Sequence, residues 1–363
     1  MSSFGQLFSE IEAAVYRHWD RSAEDHLSEA ATRALSAHPE LLDFDSADCL
    51  QWAIRDHSAL PVQSWDFDFG QPAITVVRNK DFRVDLLYWL ENASSIHDHI
   101  TCGAFAAVLG DRLHGVYRFE VAEDLGPWVQ RGKLERTTLE IMGEGDVRPI
   151  RPDLIHDLFW LGKPSVTLVV RCAEHPSHIG KPRNYLSPGL AYVGKSHHHS
   201  SLVSRRAEAL DLIRQADDEM YKDSLLSVLR GEDPSLAFFA FAGAALNSPG
   251  VLDASLDELQ SDDAPFLDLL VRTRRHIVRR SYFAGVYSAG EVSRLPIGLL
   301  WAEASTEDAH RLIDAAFPDE HPTTILKAAA DELEDLAPEA AEQLRALVPG
   351  QFRPNEKAVQ YGT

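Results

Sequence analysis

The segment Ser94-Ser95-Ile96-His97-Asp98-His99 carries the clearest chemistry in the chain. Side chains alternate between the two faces of an extended strand, so His97 and His99 point to the same side. Two imidazoles on one face can grip a divalent transition metal, which a lone histidine cannot. A third imidazole, His156, follows about fifty residues later, after Gly143-Glu144-Gly145-Asp146-Val147 and just before the apolar run Leu158-Phe159-Trp160-Leu161. It must come from a different strand, which is how a small β-barrel assembles a site from distant sequence. Three neutral imidazoles leave two or three positions of an octahedral ion open, and a catalytic metal needs open positions. Imidazole suits iron, zinc, nickel and copper, so ligand type alone selects none of them.

Neighbouring residues refine this picture. No acid falls between Ile100 and Gly110, and Gly103 and Ala104 stand where a fourth carboxylate ligand would follow the second histidine. By strand parity Asp98 faces away from the histidines, as a supporting or surface group. Arg78 offers a fixed positive fork that suits a substrate carboxylate, and the competing reading is a surface arginine on a strand edge.

The elements that must position these groups follow from periodicity. Leu7, Ile11, Val15 and Trp19 recur at helical spacing, and Ser22 is placed to open a second helix, so residues 1–65 read as helices packing on a barrel. From Ala73 the period changes to that of strands. Ala73–Arg78 is short and β-branched, and Phe82, Val84, Leu86, Tyr88 and Leu90 alternate with Arg83 and Asp85. Further strands fit Gly103–Leu109, Leu113–Val121, Leu134–Met142, Asp146–Ile150, Ile155–Leu161 and Ser165–Cys172, with Gly and Pro turns between them. Around eight short strands at this spacing predict a closed or sandwich-like β architecture over 66–175.

Residues 176–200 lose periodicity, gather Pro and Gly, and read as a connection that contains His197-His198-His199. Residues 201–363 read as helical. Asp233-Pro234-Ser235-Leu236 opens the apolar segment Ala237–Leu246, expected to be a buried helix, and Ile325, Ala329, Leu333 and Leu336 make one apolar stripe.

At 363 residues the chain is too long for one typical core, and 45% hydrophobic with 25% charged residues is a globular composition. A formal net charge of −21 argues against nucleic acid and anionic membrane surfaces, because phosphate binding needs clustered Lys and Arg. Cys49, Cys102 and Cys172 are far apart and odd in number, which predicts buried or free reduced thiols rather than a disulfide framework. The N-terminal residues show no basic stretch followed by an apolar core, and no run approaches a membrane helix, so a cytoplasmic location is expected.

The motif Ser94–His99 resembles the metal motif of cysteine dioxygenases, thiol dioxygenases of the cupin superfamily. Arg78-Asn79, the strand Val84–Leu90, the Leu109-Gly110 turn and Pro164-Ser165-Val166-Thr167-Leu168 sit in matching order. The resemblance covers roughly residues 70–175, and a helical N-terminal preamble is also similar. It implies an α+β chain built on a cupin double-stranded β-helix barrel, followed here by an all-α C-terminal domain. It implies a mononuclear Fe(II) held by His97, His99 and His156, with Arg78 as carboxylate clamp and dioxygen delivered to a thiol sulfur.

Departures stand beside the likeness. The position of the cysteine that crosslinks in some members holds Ala104, with Cys102 two residues earlier, and the partner tyrosine position holds Arg171. The family's Ser-His-Tyr hydrogen-bond set is reduced to Thr167, Val169 and Arg171. Arg171 is thus a second inward cation, which favours a dianionic or larger acidic substrate or else replaces Arg78 as the clamp, and Tyr117 is a candidate acid, with Tyr88 and Tyr192 as alternatives. The leading expectation is an iron oxygenase acting on a small carboxylate-bearing thiol or amino-acid-derived metabolite. A cupin oxygenase or isomerase for a non-thiol metabolite is the first alternative. A metabolite-sensing cupin with a helical partner-binding module is the second, although the helical domain is read in preference as a homodimerisation or lid domain.

Overall fold

Short β-branched and aromatic runs separated by turn residues become strands, in the order read from the sequence. The computed structural model describes residues 3–21, 26–56, 60–63, 70–90, 92–162, 164–172, 181–194, 202–259, 266–286 and 291–348. Its first nine strands are β1 (Ala73–Arg78), β2 (Arg83–Trp89), β3 (Ile96–His97), β4 (Gly103–Leu109), β5 (Arg112–Gly126), β6 (Val129–Met142), β7 (Val147–Ile150), β8 (Ile155–Trp160) and β9 (Ser165–Arg171). One sheet runs β1-β2-β9-β4-β7, and β6-β5-β8-β3 are consecutive in the second. The order β2-β9-β4-β7 against β6-β5-β8-β3 is a jelly roll, two Greek keys folded into facing sheets. The chain therefore has an α+β fold with a cupin-type barrel.

The first sheet is buried on both faces, which explains its nearly continuous apolar strands. Val84, Leu86 and Tyr88 of β2, Ala104 and Ala106 of β4, and Val166, Leu168 and Val170 of β9 pack outward. They meet α1 (Ser3–His18), α2 (His26–Ala37) and α3 (Ser46–Arg55), through Phe8, Ile11, Leu27, Ala31 and Trp52 among others. The opposite parity points inward: Leu87, Trp89, Phe105, Ala107 and Val169 join Met142, Ile150, Leu158 and Trp160 in a separate core. By the same alternation Thr167 and Arg171 of β9 share the inward face with Val169. Ser28 of α2 ties helix to sheet, with Oγ 2.9 Å from the carbonyl oxygens of Gly103 and Ile150. A Cβ at Gly103 would lie 1.8 Å from the Val170 carbonyl oxygen, so only glycine lets β4 approach β9 at this end.

The chain divides into two units: Met1–Val116 with Thr138–Pro182, and Tyr117–Thr137 with Arg183–Thr363. This differs from the expected boundaries in two ways. The far half of the β5–β6 hairpin belongs to the second unit, and the expected connection over 176–200 contains a hairpin, β10 (Arg183–Leu186) and β11 (Leu190–Val193), whose second strand pairs with β6. Tight register and backbone pairing form this hairpin despite its poor hydrophobic periodicity. Ser22 and the run His197–His199 lie outside the described residues.

The second unit is otherwise helical: α4 (Leu202–Ala216), α5 (Asp218–Leu229), α6 (Pro234–Asn247), α7 (Pro249–Glu258), α8 (Leu267–Val286), α9 (Glu291–Trp301), α10 (Thr306–Ala316), α11 (Pro322–Leu333) and α12 (Pro338–Ala346). Asp233 caps α6 by accepting from the Ser235 and Leu236 amides, with Pro234 at the first turn. The helix is apolar because it is buried, with Leu236, Phe238, Phe241 and Ala244 in one core cluster. No helix of the described residues is long and apolar enough to cross a membrane.

Candidate metal centre

β3 is only two residues long, and its brevity shapes the site. Its one registered pair with β8 is His97 opposite His156, so two imidazoles start side by side on neighbouring strands. The chain before it is held along β8 by Ser94, whose amide donates to Leu158 O at 2.8 Å and whose Oγ accepts from Leu158 N at 2.9 Å. His99 lies beyond the strand end, and the backbone there brings its ring to the same point. Ring centroids of His97, His99 and His156 lie 4.8, 4.8 and 5.0 Å apart. Their available ligand nitrogens all fall within 4.8 Å of one another.

The hydrogen bonds behind the rings decide what they offer. His97 Nδ1 lies 2.9 Å from the Ser95 carbonyl, which can only accept, so that nitrogen carries the proton and Nε2 keeps its lone pair. His156 Nδ1 lies 3.1 Å from His114 Nε2, and His114 Nδ1 lies 2.9 Å from Glu140 Oε1. Hydrogen bonds from His114 and Arg148 hold the Glu140 carboxyl down at about 2, so it is an ionised acceptor. Arg148 grips both its oxygens, each at 2.9 Å. His114 therefore donates to Glu140 and accepts from His156 Nδ1–H, which leaves the His156 Nε2 lone pair directed at the cluster. Burial, then the neighbouring rings of His97, His99 and His114, push the His156 pKa well below the usual imidazole value. His97 and His156 thus each turn a ring nitrogen lone pair toward the cluster, where His99 Nε2 joins them as a third possible ligand. His99 Nε2 and His156 Nε2 are 3.0 Å apart, the separation of two ligands about 2.1 Å from one ion at about a right angle. The donor set fits a divalent transition metal.

The histidines open on a cavity of about 70 Å³, whose walls include Trp89, Phe105, Leu158 and Trp160, with Ser94, Thr101, Thr167 and Arg171 as its other polar members. Trp89 and Trp160 stack at 4.4 Å, and the Trp89 indole N–H donates to Thr167 Oγ1 at 3.0 Å. The Arg171 Nε donates to Asp85 at 3.0 Å, and this fully buried carboxylate also takes the Thr75 hydroxyl at 2.7 Å. Burial lowers the Arg171 pKa to about 10, Asp85 opposes that shift, and the guanidinium remains charged at neutral pH.

The structure brings together four of the six candidate residues, His97, His99, His156 and Arg171, and separates the other two. Arg78 is exposed at the end of β1, the outermost strand of its sheet, where Nη1 donates to the Val62 carbonyl at 3.1 Å. It lines a groove beside Phe8 and Trp52, outside the histidine cavity, because an edge strand carries its last side chain away from the barrel centre. Tyr117 lies half-buried on the part of β5 that belongs to the second unit and is not among the cavity residues. Tyr88 is directed to the outer face, where its hydroxyl donates to Ser46 O at 2.9 Å, and Tyr192 packs on Phe238 in the second unit. Among the described residues no tyrosine lines the cavity.

Sequence reading missed His114, Glu140 and Arg148. β5 and β6 carry many polar residues, so nothing in the sequence singles these out, and strand parity cannot tell which polar residue faces the lumen. All three cysteines are free and buried, as expected, yet Cys102 Sγ and Cys172 Sγ lie 3.1 Å apart across β4 and β9, a proximity their spacing hid.

No protein-family model matches the sequence, and no curated protein matches it. Solved structures resemble it at low identity. The DMSP lyase DddQ from Ruegeria pomeroyi DSS-3 is 12% identical, covering 49% of this chain and 94% of that one at a TM-score of 0.28. A cupin 2 conserved barrel domain protein from Rhodopseudomonas palustris is 15% identical, covering 35% and 76% at 0.22. An oxalate oxidase is 14% identical, covering 45% and 75% at 0.24.

Proposed function

We propose that the protein is a mononuclear non-haem Fe(II) oxygenase of the thiol-dioxygenase kind, acting on a small carboxylate-bearing thiol or amino-acid-derived metabolite. The observation that carries this reading is the convergence of three imidazoles on a small apolar cavity that also holds one buried guanidinium. Iron bound there would supply one-electron redox chemistry toward dioxygen and a Lewis-acidic centre for a thiolate.

The chain's own residues do the rest. His97, His99 and His156 would hold the ion, and the Glu140–His114 pair fixes the tautomer and ring orientation of His156. Arg171 takes over the carboxylate-clamping role expected of Arg78, and Asp85 sets the plane of its fork. Stacked Trp89 and Trp160 exclude water and limit the substrate to a few heavy atoms, in keeping with a cavity of about 70 Å³.

A non-thiol metabolite is the second reading, favoured by the absence of a tyrosine among the described cavity residues. One experiment addresses both. Protein purified without added metal is analysed for iron, then oxygen uptake is followed across a panel of small carboxylate-bearing thiols. Iron near one per chain, thiol-dependent uptake and a product heavier by ~32 Da, two oxygen atoms, are expected. Iron with uptake driven only by a non-thiol acid moves the assignment to the second reading. Absence of iron overturns both.

A further inference from the structure

Helix α8 concentrates arginine in an acidic protein. Its sequence places Arg272, Arg275, His276 and Arg279 at positions i, i+3, i+4 and i+7, which is one face of a helix. That face lines a cavity of about 620 Å³ within the helical unit, with Leu299, Leu300 and Leu347 among its apolar walls. The barrel cluster plays no part in it.

The lining is rich in donors and poor in acceptors. His276 is 8% exposed, and neither ring nitrogen has a hydrogen-bond partner among the described residues. Its nearest charged neighbour is Glu303 Oε1, 3.8 Å from Nδ1. Gln343 Nε2 is a second buried donor without a partner. Arg279 is buried, donates to the Leu300 carbonyl and lies 3.5 Å from Glu303. Arg275 is exposed at the rim, and Arg272 pairs at 2.8 Å with Asp268, itself largely exposed to solvent. Glu303 is the one carboxylate among the lining residues, set against three guanidiniums. Buried donors left without acceptors are costly, so the site is built for a ligand that supplies them.

We infer that this cavity binds a phosphate-bearing small molecule, with the phosphate on the Arg272–Arg275–Arg279 face and its apolar body against Leu299, Leu300 and Leu347. Three guanidiniums against Glu303 in the lining and Asp268 paired with Arg272 beside it leave a net positive charge, which attracts the charge of about −1.5 to −2 on a phosphate monoester. Guanidinium forks and an imidazole N–H suit the several oxygens of a phosphate, and a monocarboxylate offers too few acceptors to use them.

The test is calorimetric titration of the full-length protein with inorganic phosphate and pyrophosphate, with acetate at matched ionic strength as comparison. Saturable one-to-one binding of phosphate or pyrophosphate, and none of acetate, is expected. Arg275→Ala should weaken it by at least about tenfold, and so should His276→Gln. Arg275 is exposed, so its truncation leaves the fold intact. Arg274→Ala removes the same charge from the next residue, but Arg274 pairs with Asp253 and is not among the lining residues, so binding should persist. Histidine side-chain nitrogen NMR should show the His276 resonances moving on phosphate addition. Absence of binding by either anion overturns the inference. Equal losses in Arg274→Ala and Arg275→Ala overturn it too, since they would mean diffuse electrostatics rather than a site.

Discussion

The barrel and the helical unit each gather nitrogen-bearing side chains around a cavity, and the two gatherings have opposite polarity. In the barrel, acceptors behind the rings, Ser95 O for His97 and Glu140 by way of His114 for His156, take up the N–H groups and leave lone pairs facing inward. In the helical unit the acceptor nearest to His276 is Glu303 Oε1, 3.8 Å from Nδ1 and beyond hydrogen-bond distance, and the other charged groups of the cavity are guanidiniums, which have no lone pair to offer. The same residue type, histidine, thus helps make a cation site in one place and an anion site in the other. What differs is the group behind the ring, and residue identity alone does not reveal it.

Experiments can break this comparison, beginning with the largest effect. His156→Ala removes the ring at the centre of the cluster, and bound metal should fall from about one per chain to below about a tenth. Elemental analysis that finds undiminished metal would place the ion elsewhere. Glu140→Gln is the sharper test, because it keeps the shape and removes the ionised acceptor that fixes the His114 tautomer. Metal affinity should drop about 10–100-fold in chelator competition, and an unchanged affinity would detach Glu140 from the site. Arg171→Lys keeps the charge and loses the fork. On the oxygenase reading KM for the carboxylate substrate should rise about tenfold with metal content unchanged, and steady-state kinetics read the split.

The smallest effect lies in the helical unit. Burial alone would raise the Glu303 carboxyl, but His276 and Arg279 override it and hold it near about 2. Its folded value therefore lies below the unfolded value of about 4.3, so its stabilisation is full above that pH and fades as pH falls toward about 2. Glu303→Gln should cost under about 1 kcal/mol at neutral pH, since the group is half-exposed. The melting-temperature gap to the parent should narrow by about pH 3. A gap that stays constant with pH would deny Glu303 its role as counterion to the cluster.

Much of the barrel was legible along the chain. Strand runs such as Ala73–Arg78 and Gly103–Leu109 are short, β-branched or apolar, and bounded by turn residues, and they appear at the read positions. The β10–β11 hairpin was not legible, because its four-residue strands are too short to show a period. Arg78 was misplaced for a related reason: alternation tells which face of its strand a side chain takes, but not whether the strand is central or at the sheet's edge.

By itself the sequence determined the alternation that puts Thr167 with Arg171 and the buried character of α6, because local spacing dictates which side chains share a face; His97 and His99 were paired by the same rule, but His99 lies past the strand end and reaches the cluster by the backbone beyond it. Only the tertiary structure decided that His156 registers opposite His97, that Glu140 and His114 orient its ring, that Cys102 meets Cys172, and that α8 turns its arginines into a cavity. Those outcomes depend on pairings between residues far apart in the chain, and no local period encodes which distant partner a side chain will meet.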